Sequence, residues 1–317
     1  MKYFHHYSFS CTINTPFTIY GAFDRSRSLI DIPNIECITP IGEAVQPKSV
    51  DQLCYDSAKH IIDSSGDKKL SVFWSGGIDS TLVLAELLKI TTPDKLVVVM
   101  NNNSIREYPD FYTKYIEDKL EVKQFSLYNG DYSYLLKDSV LVSGHLMDSN
   151  YGPILYPAIP IDVLKQSIPE FLSKLSNTSI ELYKKLISGC PRKIENVKDL
   201  FWWFEYAVNY QNEQLSMILE TEDLVIDKNI FYFSCSKDWN DYSVSTPIEE
   251  KWFGYDYRDF KMPLKQQLYK FTKDTYYTEN KIKVPSWRRY RTGLQRKKEP
   301  VYINTDWVRG WGVRSFK

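Results

Sequence analysis

Residues 71–89, SVFWSGGIDSTLVLAELLK, carry the reading of the fold: an apolar run breaks at two glycines, passes an acid and two hydroxyls, and becomes a helical pattern. A strand feeding through glycines into a helix start gathers backbone N–H groups and the positive end of the helix dipole at one point. Such a turn is a ready site for phosphate. Gly76 and Gly77 let the backbone approach a ligand, and Ser75, Ser80 and Thr81 add hydroxyl donors. Asp79 would repel phosphate unless a divalent cation sat between them, so an acid here implies magnesium. The lysine of a GxxxxGK loop is missing, which excludes a Walker A site. The competing reading is an ordinary helix start, capped by Asp79 or Ser80, in which the glycines only turn the chain.

Outward from this stretch, residues 70–143 alternate short β-branched runs with helical patterns: LSVFW, STLVLAELLK, KLVVVM, PDFYTKYIEDKL, VKQFSL and DSVLVSG. The alternation predicts an α/β fold, a parallel sheet with helices on both faces. A helix over SVDQLCYDSAKHIID leads into the first strand. Beyond residue 160 the pattern turns mainly helical, in TSIELYKKLISG, ended by Gly189, and in ENVKDLFWWFEYAVNYQNEQLSMILE. Four consecutive aromatics, Phe201 to Phe204, circle a helix, which predicts core positions with one member facing solvent. The organisation expected is a short β-rich lead segment with its helix (residues 1–65), a catalytic unit (66–285, α/β to about 160) and a basic tail (286–317).

Lys plus Arg equals Asp plus Glu, 40 each, so the whole chain lacks the field of a general nucleic-acid binder. Five scattered cysteines form no CxxC pair and signal neither zinc nor redox chemistry. With no signal-peptide pattern and no apolar run of membrane-spanning length, the expectation is a cytoplasmic protein with no membrane partner.

SGGIDS, residues 75–80, resembles the PP-loop of the N-type ATP pyrophosphatases, a superfamily that includes asparagine, β-lactam, GMP and argininosuccinate synthetases and several tRNA-modifying enzymes. The resemblance implies an adenine nucleotide alpha hydrolase-like fold and cleavage of ATP to AMP and pyrophosphate. It makes Ser75, Gly76, Gly77, Asp79 and Ser80 the nucleotide loop, Asp79 a Mg2+ ligand, and Val99 and Met100 backbone contacts to adenosine. LVSGHLMDSNYGP, residues 141–153, is similar to the asparagine-synthetase-like pattern S-G-x-G-x-D-E-x-x-x-G through Ser143, Gly144, Asp148 and Gly152. That likeness makes Asp148 the second Mg2+ ligand and puts His145 in the slot of a proton acceptor. Leu146 and Ser149 depart from the pattern, and His145 also reads as a packed histidine. Residues 259–286 look like the family's closing region, whose lysine neutralises charge at phosphorus; Lys281 sits best in that slot, with Lys283 beside it and Lys261 and Lys265 on the preceding helix.

The closest likeness is to the synthetase domain of asparagine synthetase-like proteins, without their glutaminase domain. It implies an amide-forming enzyme that adenylates a small carboxylate for attack by an amine or ammonia, the nitrogen coming free, from the substrate, or from a separate glutaminase. The alternatives are a PP-loop enzyme that adenylates a nucleic-acid base carbonyl, with WRRYRTGLQRKK gripping phosphates, and a nucleotide-binding protein without catalysis.

Overall fold

The computed structural model describes residues 10–11, 19–20, 24–28, 39–124, 133–152, 161–175, 177–211, 214, 225–255, 257–275 and 279. Lys281, Lys283 and the basic tail lie outside them, as do most of residues 1–38. Of that segment the pair β1 (Ser10–Cys11) and β2 (Ile19–Tyr20), antiparallel, is described.

Five parallel strands form the main sheet: β3 (Lys69–Phe73), β4 (Leu96–Met100), β5 (Glu121–Gln124), β6 (Ser139–Ser143) and β7 (Ile230–Tyr232), in the order β5-β4-β3-β6-β7. Every residue of β4 and β6 is buried, as an apolar run in a sheet covered on both faces must be. Two of the buried hydroxyls, Ser71 and Ser139, lie 2.7 Å apart across the β3–β6 pairing and satisfy each other. β5, at the edge, is exposed at both ends. β7 comes from the half expected to be mainly helical. Its three residues are too few to show a strand period, and neighbouring β6 supplies the pairing.

From β3 the chain winds through α2 (Ile78–Ile90) to β4 and β5 on one side, whereas β6 and β7 lie on the other. The connection therefore reverses between β3 and β6, and the crevice at their carboxyl ends is where open α/β sheets take ligands. The lead-in helix α1 (Val50–Ser65) is capped by Ser49 and buries Leu53, Cys54, Ser57, Ala58 and Ile61 along one stripe. Gln267, on the closing helix Met262–Thr272, donates to Asp51 of α1 at 2.8 Å and to Glu86 of α2 at 3.0 Å, tying three helices together.

Two local expectations need correction. Residues 109–120 are not one α-helix: a three-residue α-helical stretch, Pro109–Phe111, runs into a π-helical Tyr112–Ile116, and the helix stops there. None of the four aromatics faces solvent: Phe201, Trp202, Trp203 and Phe204 are all buried. The Val197–Phe204 helix is enclosed on every side, with Trp203 donating to the Leu186 carbonyl at 2.7 Å and Trp202 to the Asn150 carbonyl at 3.2 Å. From the lead segment, Arg25 reaches the same region. Its guanidinium lies over the rings of Tyr206 and Tyr210 and donates to the carbonyls of Tyr206 and Thr39 and to Asn240.

Candidate active site

The loop after β3 is built by its own residues. Trp74 closes it beneath, its indole donating to Thr81 Oγ1 at 3.0 Å and its backbone N–H to the Val99 carbonyl at 2.9 Å. The Ser80 hydroxyl turns back to accept from the Ser75 N–H at 3.0 Å, and Ser75 Oγ accepts from the Gly77 N–H at 3.2 Å. Gly77 is the N-cap of α2 and provides no side-chain cap, so neither Asp79 nor Ser80 acts as the ordinary cap of the competing reading. Gly76 sits at φ +74°, and a Cβ there would fall 2.4 Å from the Ser104 carbonyl oxygen. Both the backbone conformation and the close approach require glycine.

The loop after β6 leans on the first. Gly144 lies so near the backbone of Asp79 that a Cβ would stand 3.0 Å from its carbonyl carbon. Ser143 Oγ accepts from the His145 N–H at 3.2 Å, and the His145 side chain is exposed. Leu146 and Ser149, the departures from the expected pattern, are both fully buried.

Between the loops stands Lys261. Its Nζ is 2.7 and 2.6 Å from the two carboxylate oxygens of Asp79 and 2.5 Å from Asp148 Oδ1. The lysine is 3% exposed and its two partners about a fifth. Burial pulls its pKa down, but the charges of Asp148 and Asp79 and their hydrogen bonds outweigh this and hold it above the ordinary lysine value. Lys261 is not on the closing helix, as the sequence suggested, but is its N-cap, in the left-handed region at φ 56°. A non-glycine residue is held there only where its surroundings over-determine it. Lys265, one turn later, donates to the Arg258 carbonyl at 2.6 Å.

The two carboxylates suit a divalent cation in charge and proximity, since both touch one point, and that point is where the Lys261 ammonium stands. No third His, Cys, Asp or Glu joins them among the described residues. Val99 and Met100 are buried at the end of β4, where Asn101 and Ser104 form a reciprocal capping box for the Asn102–Glu107 helix that meets Gly76. Sequence reasoning missed Trp74, Ser104 and the contact of Gly144 with Asp79. The pairing of Lys261 with Asp79 had no local signal, because 182 residues separate them. A cleft of about 350 Å³ lined by Tyr108, Phe111, Lys114, Lys273 and Asp274 lies beyond the other end of the closing helix and includes none of the loop residues.

No family model matches the chain. The chain is 26% identical over 210 residues to the tRNA(Ile)-lysidine synthase of Buchnera aphidicola subsp. Schizaphis graminum (strain Sg), in a match covering 54% of this chain and 46% of that protein. The chain thus spans about half the length of the curated relative it matches. That relative is, by its name, a synthase acting on tRNA, so the likeness does not support the expected closeness to asparagine synthetases. No helix among the described residues is long and apolar enough to cross a membrane. The five-stranded parallel sheet with its helices and the glycine loop at its switch point are consistent with an adenine nucleotide alpha hydrolase-like fold.

Proposed function

We propose that the protein is a PP-loop enzyme that uses ATP to activate a carbonyl of a nucleic-acid base for replacement by an amine. The observation that carries the ATP chemistry is the meeting of Asp79, Asp148 and a buried ammonium between two loops at the sheet's switch point. The likeness to a synthase acting on tRNA favours a nucleic acid over a small carboxylate.

In this reading the N–H groups and hydroxyls of Ser75, Gly76, Gly77 and Ser80 hold the pyrophosphate end of ATP, and the backbone of Val99 and Met100 flanks adenosine. Asp79 and Asp148 would hold Mg2+, whose part is to neutralise charge on the phosphates. The base oxygen attacks the α-phosphorus, forming an O–P bond as the bond to pyrophosphate breaks. The amine then attacks the activated carbon, the C–O bond breaks and AMP leaves. Both steps gather negative charge on oxygen, and the Lys261 ammonium, carried on a fixed backbone, offsets it. Exposed His145, on the loop that leans against Asp79, takes the proton that the amine gives up.

The test is incubation with α-labelled ATP, Mg2+ and an amine, with either total tRNA or a panel of small carboxylates. AMP and pyrophosphate that form only with RNA are expected. Formation with a carboxylate and no RNA would restore the amide-forming reading, and ADP as the only product would sink both.

A further inference from the structure

We propose that Lys261 stands in for the divalent cation in the nucleotide-free protein, its ammonium filling the place between Asp79 and Asp148 until a nucleotide-borne metal ion displaces it. The inference rests on reading those two carboxylates as the metal pair and goes beyond it to say how the pair is kept before ATP arrives.

The argument starts from charge. Two carboxylates converging on one point repel unless a cation stands between them. A single ammonium in contact with both removes most of that repulsion and fastens the loop after β3 to the loop after β6. A bare Mg2+ sheds its water reluctantly and demands several oxygen ligands in an octahedral set. The described residues offer it two carboxylates and no third acidic, histidine or cysteine ligand. It would also have to evict a cation already in place. A metal ion carried on a triphosphate brings further oxygens and a prepaid share of dehydration, so it can compete where the free ion cannot.

Lys261 is built for such an exchange. Its backbone is fixed, between the Trp252–Phe260 bridge and the first turn of the closing helix, whose Leu264 and Lys265 N–H groups donate to its carbonyl at 3.0 and 3.1 Å. Its four-carbon stem is flexible and its charge a compact point. The ammonium can therefore leave the carboxylates while the backbone stays, and it is released only when the metal and the nucleotide are both present.

The test titrates Mn2+, and in parallel Mg2+, into the full chain without nucleotide, reading heat of binding and melting temperature. Wild type should take up little metal at low millimolar concentration and melt at the same temperature with or without it. Lys261→Met should bind Mn2+ about tenfold or more tightly, as expected when a competing charge is removed, and its melting temperature should rise on adding metal. Lys261→Gln, whose amide keeps a hydrogen bond to the carboxylates, should show the same gain and covers the case in which the methionine variant does not fold. The gain should vanish in Lys261→Gln/Asp148→Asn, and Lys261→Arg should behave as wild type. Tight Mn2+ uptake by wild type without nucleotide, lost in Asp148→Asn, overturns the proposal, and so does a Lys261→Gln variant that gains no affinity. RNA-dependent AMP release is read separately, so failure of the exchange and failure of the proposed function are distinct results.

Discussion

Lys261 and Lys251 are buried alike and live under opposite rules. Lys261 faces two carboxylates and is held charged. Lys251 is pulled well below the ordinary lysine value by burial and by the charge of Arg192; its Nζ donates to the Ser243 carbonyl and lies 4.1 Å from the Trp202 ring. The first spends its charge where phosphate chemistry would need a cation. The second sits in an aromatic wall, where it meets a backbone carbonyl and where burial disfavours its charge. Buried lysine alone does not mark an active site; what faces the ammonium does.

The largest effect that can break this comparison is on turnover. Lys261→Met should lower the rate of AMP formation by about a hundredfold or more, the loss seen when one preorganised charge is removed, whereas Lys251→Met should leave it unchanged. Equal losses in both variants, measured by release of labelled AMP, would erase the distinction.

Next in size is the loop that presents Asp79. Gly76→Ala must hold a side chain at positive φ against the Ser104 carbonyl, so it should cost about 2–4 kcal/mol in urea unfolding as well as activity. Gly144→Ala meets the Asp79 backbone at an ordinary φ and should cost about 1–2 kcal/mol, with a larger loss of activity than of stability.

The smallest effect is the pH dependence, and its sign separates the two environments. A lysine lowered in the folded state binds fewer protons there than when unfolded, so stability rises as pH climbs from its folded pKa toward 10.5. Lys198, lowered to about 8 by burial against Trp252 and Tyr255, places that rise between about pH 8 and 10.5, and Lys251, lowered in the same direction by burial, adds to it. Lys261, being raised, gives stability that is fully present below 10.5 and lost only above it. Lys198→Met should flatten the rise by about 1 kcal/mol, as read from urea midpoints at pH 7.5 and 10.

These two environments also mark what the sequence could tell. Residues 71–89 announced β3, the glycine turn and α2 because strand, turn and helix each have a local signature, and the apolar β4 and the apolar centre of β6 declared a sheet covered on both faces. SGGIDS and the SGH loop were legible as motifs. Their convergence on Lys261 was not, because it depends on how the chain returns after 182 residues. The likeness to the family's closing region put Lys261 one step inside the helix, although Pro263 in the first turn signals a start just before it. β7 went unread because three residues carry no period, and the solvent-facing aromatic was a wrong inference because nothing local reveals that a helix is wrapped on all sides.

The Arg25 contacts set a timetable for the chain's synthesis. The arginine's partners at Tyr206 lie 181 residues downstream. A ribosome adding about 5–20 residues per second makes that segment roughly 10–40 s after the arginine. Arg25 is thus made well before the rings that receive it and cannot be seated until they follow, so through that interval its guanidinium is without the cation–π and carbonyl contacts that hold it in the finished fold.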